Sequence, residues 1–134
     1  MRPTVFLTLS IMLLAAAAGA AMSQSRTGGD PVASLYGHVA LITHGGGKTE
    51  RIWLRANHTF LWQGPMGERG HGTWSLQGDK ICLTALTEAD PAGHPRERKE
   101  PAPARCAEFR TGHHPGDSWT QHDDHGELVT VRID

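Results

Sequence analysis

The sequence lacks the features that mark most enzymes and nucleic-acid-binding proteins. It contains no G-x-S-x-G motif, no H-E-x-x-H motif and no phosphate-binding glycine loop ahead of a helix. Neither charge sign dominates, since 13 lysines and arginines face 14 aspartates and glutamates, for a net charge of −1. Because phosphates and anionic membrane surfaces are bound through basic surfaces, both kinds of partner are disfavoured. We therefore expect a protein that is not an enzyme and binds no nucleic acid.

Long hydrophobic runs are missing after the N-terminus. There, Arg2 precedes an apolar run from Val5 to Ala18, and small residues continue to Ala20. A charged start, a short apolar middle and a small-residue end are typical of a secretory signal peptide, and the run is short for a hydrocarbon core of roughly 30 Å. We expect cleavage near Ala20, giving a periplasmic or secreted bacterial protein with no transmembrane anchor. An uncleaved anchor is the alternative.

The rest of the chain is long enough for one domain. Removal of the signal peptide at 1–20 leaves 114 residues, which suffice for a single core, and lowers the net charge to −2 because Arg2 is lost. The small polar residues at 21–31 predict a flexible tail, followed by a single β domain at 32–134. Within it, residues 85–104 contain four prolines and a mixed charge run, and they predict a long solvated loop. We expect a monomer.

Cysteine is scarce, with Cys82 and Cys106 as the only two. In an oxidising compartment we expect them to form a disulfide; two buried free thiols are the alternative. A catalytic dithiol is disfavoured, because redox sites use close spacing such as C-x-x-C. In the chain-entropy model, closing a loop of about 25 residues stabilises the fold by roughly 3.5 kcal/mol.

Helical periodicity is absent from residues 32–134, whereas alternation with a period of two is frequent. Ile52 and Leu54 fall on one face of a predicted strand, and the first strand is expected within residues 35–43. The last strand has the clearest alternation, with Val129, Val131 and Ile133 on one side.

Seven or eight short strands separated by glycine-rich turns predict an all-β fold. We expect either a small antiparallel up-and-down β-barrel of lipocalin-like form or a two-sheet sandwich. The barrel is favoured, because most turns are short and closure removes exposed strand edges.

Aromatic residues are few, yet four of them fall close together in the chain. They are Trp53, Phe60, Trp62 and Trp74. Large aromatic side chains supply much of the buried area of a small core, and the alternative is that they line a ligand cavity. A filled interior would favour recognition at the surface, and an open apolar cavity would favour a small ligand.

Histidine is abundant, at nine residues, and four of them crowd the C-terminal part. These are His113, His114, His122 and His125, which lie beside Asp117, Asp123 and Asp124. Imidazole and carboxylate ligands suit zinc, nickel or copper. One hypothesis is therefore a divalent metal site on these four histidines, and the alternative is that they are solvated loop residues. No other cofactor is indicated.

Two groups of segments resemble known proteins. The segment GTWSLQGDKICL at 72–83, the later Cys106 and the segment GDSWT at 116–120 occur in this order before the last strand. This order resembles short exported alphaproteobacterial proteins of unknown function, over most of residues 32–133. The resemblance implies export, a strand-rich fold and pairing of the cysteines, and it implies no activity.

Residues 73–83 are also similar to part of the small periplasmic barrel inhibitors of bacterial secreted metalloproteases. Those inhibitors insert their mature N-terminus into the protease cleft, and their cysteines enclose a different part of the chain. The segment SQSRTG at 23–28 departs from that pattern. We expect an exported, non-catalytic β domain that acts by binding or in the cell envelope, with protease inhibition and histidine-based metal binding as alternatives. The ligand and the partner are not indicated.

Overall fold

The computed structural model describes residues 29–134. The predicted signal peptide at 1–20 and most of the predicted tail at 21–31 lie outside these residues. Within the described part, no helix has the length and hydrophobicity needed to span a bilayer.

The described residues form ten strands and two short 3-10 helices. The helices are Ala33–Leu35 and Gly45–Gly47. The strands are β1 (Ala40–Thr43), β2 (Thr49–Leu54), β3 (Thr59–Gln63), β4 (Arg69–Gln77), β5 (Lys80–Ala85), β6 (Thr87–Ala89), β7 (Pro95–Glu97), β8 (Arg105–Glu108), β9 (Ser118–His122) and β10 (Leu128–Ile133).

Eight of these strands form one antiparallel sheet in the order β8-β5-β4-β3-β2-β1-β10-β9. Apart from the β6–β7 hairpin, which forms its own small sheet, strands that follow one another in the chain are neighbours, as in an up-and-down meander. The exception is β8 and β9, which form the two edges of the sheet. The first strand of the sheet pairs with the last one, with Ala40 opposite Ile133 and Thr43 opposite Thr130. The result is a nearly closed barrel, which confirms the predicted all-β fold.

The chain enters the barrel differently from the prediction of a strand within residues 35–43. Ala33–Leu35 is a 3-10 turn, Gly37 has a φ of +79°, and extended pairing begins only at Ala40. The reason is packing: Val32 and Leu35 are 0% and 9% exposed, and a turn lets both side chains enter the end of the barrel.

The two ends of the barrel are different. We call the end that carries the turns at 44–48, 64–68 and 123–127, together with the connection at 86–104, the open end. The closed end carries the opposite turns and the N-terminal segment 30–38. Its buried cluster consists of Val32, Leu35, Leu54, Phe60, Trp74 and Ile133. Each such side chain contributes about 1.5–3 kcal/mol on burial, so the closed end holds much of the stability of the fold.

Side chains alternate between the barrel interior and solvent as the sequence predicts. In β10, Val129, Val131 and Ile133 are 3%, 6% and 0% exposed, whereas Leu128 is 62% exposed. Because successive residues of a strand point to opposite faces, this pattern fixes the register of β10 against β1.

The predicted disulfide is present. Cys82 of β5 lies directly opposite Cys106 of β8, and the two are covalently bonded. Cys82 is 2% exposed. The loop that the bond closes contains the whole 86–104 connection, so both ends of this connection are held at neighbouring strands.

Gly72 of β4 is a position where only a hydrogen side chain fits. A Cβ atom there would overlap the carbonyl oxygen of Thr84 and lie 2.6 Å from the Phe60 ring. The backbone of β4 therefore serves as a flat surface against which Phe60 packs.

We expect the substitution Gly72→Ala to destabilise the protein by about 1–3 kcal/mol, because the added methyl group overpacks the barrel against backbone. Gly45→Ala is the matched control, since no atom lies within 4 Å of its Cβ position and its φ is not positive. Urea denaturation followed by tryptophan fluorescence measures both. Equal midpoints for the two variants would contradict the close packing of Phe60 on Gly72.

Candidate functional site

A cavity of about 710 Å³ occupies the barrel interior and extends to the open end. Six strands each contribute a large apolar side chain to its wall. These are Ile42, Ile52, Trp62, Leu83, Trp119 and Val131. Eight-stranded barrels are just wide enough to be filled by their own side chains or to hold one small ligand.

The side chains in the wall of this cavity do not fill the interior. Ile52, Trp62 and Trp119 belong to the barrel interior, yet each stays only partly buried. Phe60 and Trp74, at the closed end, are 5% and 4% exposed. The apolar surface that remains accessible inside the barrel faces the cavity, so the interior is open at one end and packed at the other.

The four aromatic residues singled out in the sequence have three different locations. Trp62 lines the cavity, and Phe60, which belongs to the closed-end core, also borders it. Trp74 lies in the core of the closed end, stacked on His58 with ring centroids 4.3 Å apart. Trp53 instead lies on the outer face of β2, because Ile52 and Leu54 on either side of it point inward.

Sequence reasoning missed the aromatic residues on the opposite wall. Phe109 and Trp119 line the cavity from the end of β8 and from β9. Trp119 belongs to the GDSWT segment, and the alternation of Trp119 with Gln121 is the signal that marks both as inward-facing.

The 86–104 connection is more ordered than the predicted solvated loop. It contains the β6–β7 hairpin, which lies at the open end and contributes Thr87 and Glu88 to the lining of the cavity. Thr87 is 6% exposed, and its hydroxyl accepts a hydrogen bond from His71 N and donates one to His71 O. A further contact of 3.1 Å joins His71 Nε2 to Glu97. These contacts hold the hairpin against β4 beside the cavity entrance.

Polar side chains bridge the remaining gap between β8 and β9. Gln121 Nε2 donates a 2.8 Å hydrogen bond to the carbonyl oxygen of Glu108. Nearer the open end, Arg105 bonds to Asp124 and donates to His125 Nε2 at 2.6 Å. We refer to this line of contacts between β8 and β9 as the seam.

The four histidines predicted as metal ligands are divided between the two ends of β9. His113 and His114 lie near Asp117 at the closed end, and the His113 ring stacks on Trp119 with centroids 3.5 Å apart. His122 and His125 lie at the open end, where His122 is 4.0 Å from Glu108. The structure therefore does not gather these four side chains into one group.

A different histidine meets carboxylates at the open end. In the described residues, the one group of three or more potential metal ligands whose donor atoms all lie within 4.8 Å of one another is His44, Asp123 and Glu127. Sequence reasoning missed it, since these residues are about 80 positions apart in the chain. The sequence shows only that the turns at 44–48 and 123–127 both carry polar side chains.

The charge of the cavity lining is mainly negative. Seven carboxylate side chains and three arginines are among the lining residues. The pKa of Asp123 lies below its usual value: burial acts to raise it, but hydrogen bonds from the backbone N–H groups of Glu127 and His125 outweigh burial. Asp123 is therefore ionised at neutral pH, and the entrance favours positive over negative charge.

No family model, curated protein or solved structure matches this chain. The two resemblances described above therefore stay predictions. What the chain can bind has to be argued from its own geometry.

At the closed end, Asp30 and Tyr36 hold the segment before β1 in place through hydrogen bonds. Tyr36 donates a hydrogen bond from its hydroxyl to Asp30, whose other oxygen accepts from Val32 N. Burial, together with the hydrogen bond to Asp30, raises the pKa of Tyr36 to about 12. The hydrogen bond from Tyr36, together with that from Val32 N, lowers the pKa of Asp30.

We expect Tyr36 to stay un-ionised in the folded protein at about pH 11, where a free tyrosine is largely ionised. Its contribution to stability is present below about pH 10 and is lost as the pH rises towards 12, because its pKa is raised by folding. Tyr36 is the only tyrosine of the chain, so absorbance near 295 nm reports on it alone.

The Asp30→Asn variant is the companion measurement, since it removes the charged acceptor and leaves the burial of Tyr36 in place. We expect its tyrosine to titrate at lower pH than in the parent protein. Circular dichroism over the same range establishes which points refer to folded protein. A tyrosine that titrates near pH 10 while the protein is folded would contradict the described closed end.

Proposed function

We propose that this chain is a non-catalytic binding protein that holds one small apolar molecule inside its β-barrel. The observation that carries the proposal is the open, apolar cavity of about 710 Å³. Pockets that take small molecules are typically about 300–1,000 Å³ and are lined mainly by hydrophobic and aromatic side chains with a few polar groups. The cavity matches this description in size and in chemistry.

The driving force for such binding is removal of apolar surface from water. Trp62 and Trp119 present partly exposed rings to the interior. A ligand that covers them gains about 25 cal/mol for each Å² of apolar surface buried. The packed closed end supports the proposal, because a cavity keeps its shape only when the structure around it is fixed without the ligand.

The polar end of the ligand is proposed to be uncharged or positively charged. A ligand whose apolar part enters the barrel keeps its polar end near the open end, where carboxylates outnumber arginines. Two of the three arginines are already paired, Arg98 with Glu88 at 3.6 Å and Arg105 with Asp124. A carboxylate or sulfonate headgroup would therefore meet net repulsion.

The proposal includes export to an oxidising compartment. The Cys82–Cys106 disulfide supports this part, since such bonds persist mainly outside the cytosol. Protease inhibition by an inserted N-terminus depends on residues before those that the structure describes. The cavity favours ligand binding as the function to test first.

The first test fills the cavity. Ala107 of β8 faces the interior opposite Ile81, and we expect Ala107→Phe to weaken binding of the neutral apolar fluorophore N-phenyl-1-naphthylamine at least about tenfold, or about 1.4 kcal/mol. The control is Thr120→Phe, which adds the same ring to the exposed outer face of β9. Fluorescence titration gives both affinities.

Thermal denaturation of both variants shows whether each one still folds. If the parent protein does not bind the fluorophore, or if the two substitutions weaken binding equally, the interior is not the binding site and the proposed function fails. A second interior substitution, Val131→Phe, gives the same comparison in a different strand.

The second test concerns the charge of the ligand. Decyltrimethylammonium, decanol and decanoate share a ten-carbon chain and differ in headgroup. The two ionic compounds are used to displace the fluorophore below their micellar concentrations, and decanol is used below its solubility limit. We expect decanoate to be about tenfold less effective than the other two at low salt, and the difference to shrink near 1 M salt, where the Debye length is about 3 Å.

Tighter displacement by decanoate would contradict the proposed headgroup preference and leave the interior site intact. Failure of all three compounds to displace bound fluorophore would count against the cavity itself. The two results thus separate the charge argument from the proposed function.

A further inference from the structure

The turn between β1 and β2 and the turn between β9 and β10 meet at the open end. They are adjacent because β1 pairs with β10, which places Thr43 opposite Thr130. His44 follows directly after β1, and Asp123 and Glu127 flank the β9–β10 turn. One donor atom from each of the three side chains lies within 4.8 Å of the other two.

Asp123 is held in one orientation. Its Oδ1 accepts hydrogen bonds from the backbone N–H groups of His125 at 2.9 Å and Glu127 at 2.8 Å. Its Oδ2 lies 3.8 Å from His44 Nδ1, and the Asp123 side chain is 9% exposed. Two ligands bound at about 2.0–2.2 Å to one tetrahedral ion are about 3.4 Å apart. The observed separation needs only a small adjustment to admit such an ion.

The group carries negative charge that the described part of the protein does not neutralise. Glu50 Oε2 lies 3.4 Å from His44 Nε2, so three carboxylates surround one imidazole. Within residues 29–134, no lysine or arginine forms an ion pair with Glu50, Asp123 or Glu127. Two of the arginines at this end are paired elsewhere, Arg105 with Asp124 and Arg98 with Glu88.

The environment of the His44 ring adds a second observation. Its Nε2 atom is shielded from solvent and has no hydrogen-bond partner. Buried polar atoms in proteins are nearly always satisfied, and buried charges are paired or coordinate metal ions. His44 thus turns Nδ1 towards Asp123 and the unsatisfied Nε2 towards Glu50, so both ring nitrogens face carboxylates. A histidine nitrogen together with the oxygens of Asp123 and Glu127 is a donor set that suits a cation.

We propose that His44, Asp123 and Glu127 bind a divalent transition-metal ion of the zinc type at the open end of the barrel. One nitrogen and two carboxylate oxygens suit Zn²⁺ better than Ca²⁺ or Mg²⁺, which prefer oxygen ligands alone. Three protein ligands leave a fourth position of a tetrahedral ion free. All three residues also line the cavity, so the ion faces the space where the apolar molecule is proposed to bind. The site stands without that molecule, since every contact that defines it lies within the protein.

The test is isothermal titration of ZnCl₂ into the purified protein after dialysis against EDTA. We expect one ion per chain in the parent protein. His44→Gln and Glu127→Gln are each expected to raise the dissociation constant by at least about tenfold. Glu127 is exposed, so its substitution leaves the fold intact. Asp123→Asn keeps an oxygen that can accept both backbone hydrogen bonds, and it tests the buried ligand without breaking the turn.

The matched controls are His114→Gln and His122→Gln. Both side chains are well exposed, at 75% and 59%, and both belong to the histidines that the sequence indicated. We expect these variants to bind zinc as the parent does. Absence of stoichiometric binding in the parent, or loss of binding in the controls with full binding in His44→Gln, would overturn the proposal.

A spectroscopic measurement separates ligation from a general effect on the fold. In a ¹H–¹⁵N spectrum of the histidine side chains, added ZnCl₂ is expected to shift the ring signals of one imidazole, and that imidazole is absent in His44→Gln. Signals that shift in several exposed histidines, while those of His44 do not move, would count as loose surface binding and would contradict the assigned site.

Discussion

The antiparallel pairing of β1 with β10 is the interaction on which the rest of the structure depends. It joins the first strand of the meander to the last one and so bends an eight-stranded sheet into a nearly closed barrel. The interior exists only because of this closure, and alternation then sorts apolar side chains into it. The same pairing brings the turns at 44–48 and 123–127 side by side. The cavity and the cluster around His44 therefore both result from closure of the sheet.

Tight packing and open interior space occupy opposite ends of the molecule. At the closed end, Val32 and Ile133 are 0% exposed and the segment that begins at Asp30 fastens over the core. At the open end, the β6–β7 hairpin and polar turns surround an entrance. Space left open inside a small barrel is core volume that does not contribute to folding, so the packing of the closed end has to supply that stability. The disulfide between β5 and β8 adds stability without using interior volume.

The sequence was sufficient for the fold and insufficient for the site, for physical reasons. The alternation in β10 is a local signal that can be read within six residues. A chain with only two cysteines allows only one intramolecular pairing, so the disulfide could be predicted as well. The prediction of a strand that includes Leu35 was wrong, because apolar residues just before the first strand can also pack as a turn that covers the end of the barrel. The four C-terminal histidines are neighbours in sequence, but β9 spans five residues, or about 16 Å, and carries the pairs to opposite ends. His44 and Asp123 meet through sheet closure, which no local pattern encodes.

Within the barrel, the contact between β8 and β9 at the seam is the weakest contact between adjacent strands. Side chains such as Gln121 and Arg105 bridge it in place of the backbone ladder that joins every other neighbouring pair in the sheet. Parting there requires only a few side-chain bonds to break, whereas parting β1 from β10 would cost a whole ladder. The disulfide and the backbone pairing tie β8 to β5, and β9 pairs with β10, so the two strands that flank the seam belong to opposite edges of the sheet. The gap between β8 and β9 is therefore the place where the barrel can widen with the fewest broken hydrogen bonds.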